Sequence, residues 1–209
     1  MKLLIGVPSL DFVHIEFVKS LNGLTERLHR DRVPFELYIC NGTLAHVARD
    51  RVACHAINNG FDRVLWLDAD MVFTPDLYDD LAGDGRPFIT GLAASRRPPF
   101  MLCVFKEMSE QRGCKNYELN EIPKEPFRIA GCGFACVLIE TEILRAVQLR
   151  YKSCFLPESI FGEDLAFCRR ASSMGHQIWC DPLVRVGHIG HNAVWPEDHE
   201  TYMKSLTER

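Results

Sequence analysis

Two acidic pairs are the residues of this sequence best suited to chemistry. The first closes residues 64–73, VLWLDADMVF, where Asp68 and Asp70 follow an unbroken apolar run. Such a run suits a strand buried on both faces of an α/β sheet. Two carboxylates at the end of that strand are costly unless a cation pairs them. A divalent ion bridging to phosphate oxygens would do so, and carboxylates suit Mg²⁺ or Mn²⁺. Asp-X-Asp is short, however, and the pair could equally cap a helix starting at Thr74-Pro75. The second pair, Glu163-Asp164, follows Phe161-Gly162 and opens a helical pattern. The helix dipole favours negative charge in a first turn, so capping alone could also explain these two.

The surrounding pattern is that of alternating strands and helices. Residues 2–7 (KLLIGV) read as a buried strand ending at Pro8-Ser9. Residues 11–30 place Phe12, Ile15, Val18, Leu21, Leu24 and Leu28 at helical spacing. A second strand alternates through Phe35, Leu37 and Ile39, and Thr43 is a candidate cap for a helix over 44–58. That helix presents a small-residue stripe, Ala45, Ala48, Val52 and Ala56; Arg49 and Arg51, each taken singly, read as ordinary solvated charges. Further strands are expected over 87–92, 101–106, 135–140 and 176–180, with helices over 75–81 and 141–150. The double Arg of Arg96-Arg97-Pro98-Pro99 marks a loop covering one side of the acidic turn. Residues 109–125 read as a polar surface excursion. Gly131 and Gly133 flank Cys132, which suggests a bulge or a close approach to the backbone. The tail, 196–209, reads as a surface helix.

Composition narrows the function. The 209 residues suit one α/β domain, with 47% hydrophobic and 25% charged residues. A net charge of −4 argues against direct nucleic-acid binding. The amino terminus is interrupted too early by Pro8 for a signal peptide, and no apolar run has the length of a membrane span. A soluble, cytoplasmic protein is expected. Nine cysteines occur without a CxxC pair, so buried reduced thiols are expected in preference to a zinc site.

Taken in order, these pieces resemble the nucleotide-sugar glycosyltransferases of the GT-A fold. They are a Pro-Ser loop after the first strand, a small-residue helix bearing Arg49, strand-Asp68-Ala69-Asp70, Gly131-Cys132-Gly133-Phe134, Gly162-Glu163-Asp164, and Gly187-His188. The likeness covers about residues 2–191 and is narrowest to the small, single-domain, family-2-like enzymes of phages and bacteria. It implies a Rossmann-like, mixed but mostly parallel sheet with helices on both faces. Within one domain over 1–209, it implies a nucleotide-binding part over about 1–92, an acceptor part over about 93–195 and a terminal helix.

The resemblance also implies roles. Asp70 would bind Mn²⁺ or Mg²⁺ directly, with His188; Asp68 would contact the ribose or the metal through water. Arg49 would reach the nucleotide or its phosphates, Pro8 and Ser9 would hold the base, and Gly131 to Gly133 would face the donor sugar and acceptor. Asp164 is assigned as the base of an inverting transfer and Glu163 to sugar or acceptor hydroxyls, although exchange of the two roles, or retention of configuration, fits the sequence too. His191 is expected to be structural. The expected donor is a UDP-sugar. The acceptor could be a glycan, a lipid-linked sugar, a protein or modified nucleic acid, held by the 93–125 and 150–162 loops. Phe155, Phe161 and Trp195 could stack on a sugar, with core packing as their alternative. Asp50 departs from the family's frequent Asn; it would add negative charge near the diphosphate or pair with Arg51. Three other readings share the sheet: a nucleotidyltransferase, which would normally carry a glycine-rich basic loop where this chain has GVPSLDF; a non-catalytic nucleotide-sugar or glycan-binding protein; and a nucleotide-sugar hydrolase.

Overall fold

The computed structural model describes residues 1–190 and 193–207. The chain begins β1 (Leu3–Pro8), α1 (Ile15–Arg30), β2 (Phe35–Cys40), α2 (Ala45–Asn58), β3 (Arg63–Leu67), β4 (Met71–Val72), α3 (Leu77–Gly83) and β5 (Phe88–Leu92). It continues through β6 (Val104–Ser109), β7 (Gly113–Asn116), a 3₁₀ turn (Leu119–Glu121), β8 (Phe127–Ile129), β9 (Gly131–Cys132) and β10 (Cys136–Glu140). Last come α4 (Thr141–Tyr151), α5 (Glu163–Ser173), β11 (Ile178–Arg185), β12 (Gly187–Ile189), β13 (Ala193–Val194) and α6 (Pro196–Thr207).

Seven strands form the central sheet in the order β2-β1-β3-β10-β5-β11-β8. β1 pairs in parallel with β2 and β3, and β5 with β11. β10 runs antiparallel between β3 and β5, and β8 runs antiparallel on β11. Five of the seven strands thus run in one direction, with β10 and β8 reversed, which is the mixed but mostly parallel sheet expected. Alternation along the strands divides the core in two. Leu3, Ile5, Leu65 and Leu67 pack on α1 and α3 through Phe17, Leu21, Leu24, Leu77 and Leu81. Leu4, Val64, Trp66 and Val137 pack on α2, α4 and α5 through Ala48, Val52, Leu144 and Phe167. This is the doubly covered sheet that continuous apolar strands require.

Several local expectations are corrected. α1 starts at Ile15 and turns Phe17, Leu21, Leu24 and Leu28 inward, so Phe12 lies in the preceding loop at 89% exposure. Thr43 does not cap α2; Leu44 holds that position without a side-chain bond. Arg49 is buried against the sheet, while Arg51 is exposed. Asp50 neither pairs with Arg51 nor faces the cavity described below. It accepts from Ser153 Oγ and from the amides of Cys154 and Phe155, at 2.5, 2.8 and 3.0 Å, and so straps the loop after α4 to α2. Phe155 and Phe161 are core residues, and Trp195 covers the backbone of Gly187. All nine cysteines are free thiols. No helix among the described residues is long and apolar enough to cross a membrane.

Two small sheets flank the large one. β12 pairs antiparallel with β4 and β13, and β6 pairs with β7 and β9. The first of these positions the site.

Candidate active site

The carboxyl end of β3 gives way to Asp68, and the turn that follows is fastened on three sides. Asp68 N–H donates to Ala135 O, His14 N–H to Ala69 O, and Ile189 N–H to Asp70 O at 2.7 Å. These bonds satisfy turn backbone that would otherwise be left unpaired beside the core. Register does the rest: His188 lies opposite Met71 in the β12–β4 pairing. The imidazole thus meets a carboxylate 118 residues away, with His188 Nε2 3.2 Å from Asp70 Oδ2. His191 lies outside the described residues.

His188 Nδ1 is 3.1 Å from Ala94 O. A carbonyl only accepts, so Nδ1 carries a hydrogen, and Nε2 faces the carboxylate either protonated or through a cation. Burial pushes the His188 imidazolium down, but the hydrogen bond and charge of Asp70 outweigh it and hold His188 above its ordinary value. Burial pushes Asp70 up, yet His188 and Arg96 leave it below the usual carboxylate range. Arg96 Nη1 donates to the same Asp70 Oδ2 at 2.8 Å.

A metal fits these residues. Adjacent ligands of an octahedral ion with bonds of about 2.1–2.2 Å lie roughly 3 Å apart, close to the separation of Asp70 Oδ2 and His188 Nε2. The Nδ1–carbonyl bond is also the orienting contact that a metal-ligating histidine usually has. Among the described residues no three His, Cys, Asp or Glu side chains form a metal cage. Two protein ligands completed by phosphate and water oxygens is the common arrangement for Mg²⁺, and the donors suit Mn²⁺ as well.

Arg49 is the buried centre of the second half of the site, at 4% exposure. Its Nη2 donates to Asp68 Oδ1 at 2.8 Å, and its Nε lies 3.6 Å from Glu163 Oε1. The guanidinium lies over the Phe134 ring, 5.2 Å from its centroid. Among the described residues its Nε and Nη1 have no hydrogen-bond partner. Burial disfavours the charge, but Asp68, Asp164 and Glu163 together raise the Arg49 pKa. Burial likewise raises Asp68, against the pull of Arg49. Asp164 is pushed up to about 6, by burial first and by Glu163 as well, with Arg49 opposing. Its Oδ1 accepts the Leu165 amide at 2.7 Å, and a methyl group built on Gly133 would lie 3.6 Å from its Oδ2. Burial and the charges of Asp164 and Asp68 push the neighbouring Cys103 thiol up to about 12, so it stays neutral.

A cavity of about 1060 Å³ opens over this edge, lined by Pro8 to His14, Thr43 to Ala45, Arg49, Asp68 to Asp70, Arg96, Arg97, Glu163 and His188 to Gly190. Pro8, Ser9, Arg49, Asp68, Asp70, Glu163 and His188 therefore line one cavity. Ser9 is already engaged: its hydroxyl donates to Phe12 O at 2.8 Å and shapes the 9–12 turn. Asp164, half-buried beside Gly133, does not line the cavity. Gly131 does not face the cavity. It pairs with Phe105, and a side chain there would collide with Met108 Sδ, so the packing of β9 explains it. Arg96 was not singled out from sequence as a site residue; its only signal was the double Arg between a buried strand and a double Pro.

No protein-family model and no curated protein sequence matches this chain. Solved structures do match. A197 from STIV superposes with a TM-score of 0.63 at 17% identity, over 95% of this chain and 92% of that one. The catalytic domain of Drosophila beta1,4galactosyltransferase 7, complexed with xylobiose, superposes with a TM-score of 0.52 at 15% identity; 86% of this chain covers 64% of that one. At these identities the likeness is one of fold, and the fold is the GT-A type of Rossmann-like α/β sheet.

Proposed function

We propose that this chain is a metal-dependent glycosyltransferase. It moves a sugar from a nucleotide-diphosphate sugar, with UDP as the expected nucleotide, to an acceptor hydroxyl. The observation that supports this best is the Asp70–His188 pair at the mouth of a cavity that also holds Arg49, Asp68 and Glu163. The order of motifs supports placing it with the small family-2-like enzymes, as one domain over residues 1–209.

In this reading Asp70 and His188 hold the ion, and Asp68 contacts the ribose or the ion through water. A bound Mn²⁺ or Mg²⁺ supplies Lewis-acid stabilisation of the diphosphate leaving group. Pro8 and Ser9 wall the base subsite. Arg49 keeps Asp68 and Glu163 in place and brings its positive charge up behind the nucleotide subsite. Glu163 binds sugar or acceptor hydroxyls. On the Gly133 side, beyond the wall of that cavity, Asp164 takes the proton of an acceptor entering there as the acceptor oxygen bonds to the anomeric carbon, and the anomeric carbon–phosphate oxygen bond breaks with its electron pair leaving on the diphosphate. A base of pKa about 6 is matched to work near neutrality. The outcome is inversion.

The test is thermal unfolding with UDP, GDP, CDP or dTDP, with and without Mn²⁺, on wild type and Asp70→Asn. A ligand at a hundredfold excess over its Kd adds about 2.7 kcal/mol, which for a chain of this size raises Tm by roughly 5–11 °C. The expected result is a shift with UDP only when Mn²⁺ is present, lost in Asp70→Asn. No shift with any nucleotide and metal would overturn this reading.

A further inference from the structure

We infer that Arg96 couples the two ligands of the site: it holds Asp70 until a diphosphate arrives, then moves to the phosphate and frees the carboxylate for the ion. This rests on the proposed nucleotide-diphosphate and metal site. Arg96 Nη1 and His188 Nε2 both address Asp70 Oδ2, at 2.8 and 3.2 Å. A guanidinium at that distance makes the oxygen a poorer ligand and repels an incoming dication. Asp70 is the single acidic partner of Arg96 among the described residues.

The backbone around Arg96 is fixed. Ser95 N–H donates to Met101 O at 2.8 Å, and Phe100 N–H to Arg97 O at 2.9 Å. From α6, His199 Nδ1 reaches Pro99 O at 2.8 Å. The side chain, in contrast, is 52% exposed over the same cavity that Asp70 and His188 line. Its planar fork matches phosphate oxygens better than it matches one shared carboxylate oxygen. Arg96 therefore lowers affinity for the ion alone and raises affinity for the diphosphate. By linkage each ligand then strengthens the other's binding by the same factor.

Mn²⁺ binding followed by electron paramagnetic resonance, with and without UDP, tests this without any turnover. In Arg96→Ala, Mn²⁺ alone should bind about 2–5-fold more tightly, the scale of a half-exposed ion pair. UDP in saturating Mn²⁺ should bind about tenfold more weakly, as expected for the loss of a hydrogen bond to a charged group. The gain in Mn²⁺ affinity on adding UDP should shrink accordingly. Arg96→Lys, which keeps the charge, should hold Mn²⁺ affinity near wild type while weakening UDP. If Arg96→Ala leaves Mn²⁺ affinity unchanged or lowers it, the coupling role is wrong and the metal site stands. If wild type binds no Mn²⁺ with or without UDP, the proposed function fails first.

Discussion

Asp70 and Asp164 are the same residue type in the same site, yet their environments drive them apart. Asp70 is touched by His188 and Arg96, which hold its carboxyl below the usual carboxylate range. Asp164 is half-buried next to Glu163, shares Arg49 with two other carboxylates, and is pushed up to about 6. One cation-rich neighbourhood produces a permanent anion suited to hold a metal. One neighbourhood crowded with carboxylates produces a proton acceptor. Two carboxylates are thereby set to different tasks by surroundings alone.

The contrast can be broken most forcefully at Asp164. Asp164→Asn is expected to lower the transfer rate about 10²–10⁴-fold, the range for losing a general base, while UDP–Mn²⁺ binding by thermal shift stays near wild type. Loss of nucleotide affinity would contradict the base role. If instead Glu163→Gln abolishes the acid limb of the pH–rate profile near 6, the two roles are exchanged.

Arg49 is the next point of attack. Arg49→Met leaves Asp68, Glu163 and Asp164 without their shared buried cation, and breaking such a pair costs about 3–5 kcal/mol. A lowered urea midpoint with an unchanged slope is the expected reading. A loss under about 1 kcal/mol would mean that water reaches these carboxylates.

The smallest effect concerns stability against pH. Asp164 has a folded-state pKa of about 6, above its unfolded value. Ionising it therefore costs stability, and the benefit of its neutral form, complete below the unfolded pKa near 3.9, is lost as pH rises through 6. Asp164→Asn should then be more stable than wild type by about 1–2 kcal/mol at pH 7.5, with the difference fading near pH 4. Melting curves across that range check it. Asp70→Asn should show the opposite sign, losing its ion pairs at neutral pH.

What could be read from the sequence was local. The run from Val64 to Leu67 had to be a buried strand, and Asp68 and Asp70 had to sit at its carboxyl end. Glu163 and Asp164 had to open a helix. Arg49 looked like a solvated charge because a helix of small residues has no strong apolar face to show which side is covered. Its burial came from α2 lying against β1 and β3 and from the carboxylates delivered by β3 and α5. Gly131 looked like a site residue because sequence shows a missing side chain but not what fills its place, here Met108.

The chain's own pattern thus determined the alternating elements, the two core faces and the positions of the acidic turns, since period and apolar run length act over a few residues. Only the tertiary structure decided who meets whom. β4 and β12 bring His188 to Asp70, the 95–100 loop brings Arg96 to the same oxygen, and the convergence of α2, β3 and α5 sets Arg49 among three carboxylates. The charge states follow from those meetings, because burial and the field of a neighbour depend on distance in space and not on distance along the chain.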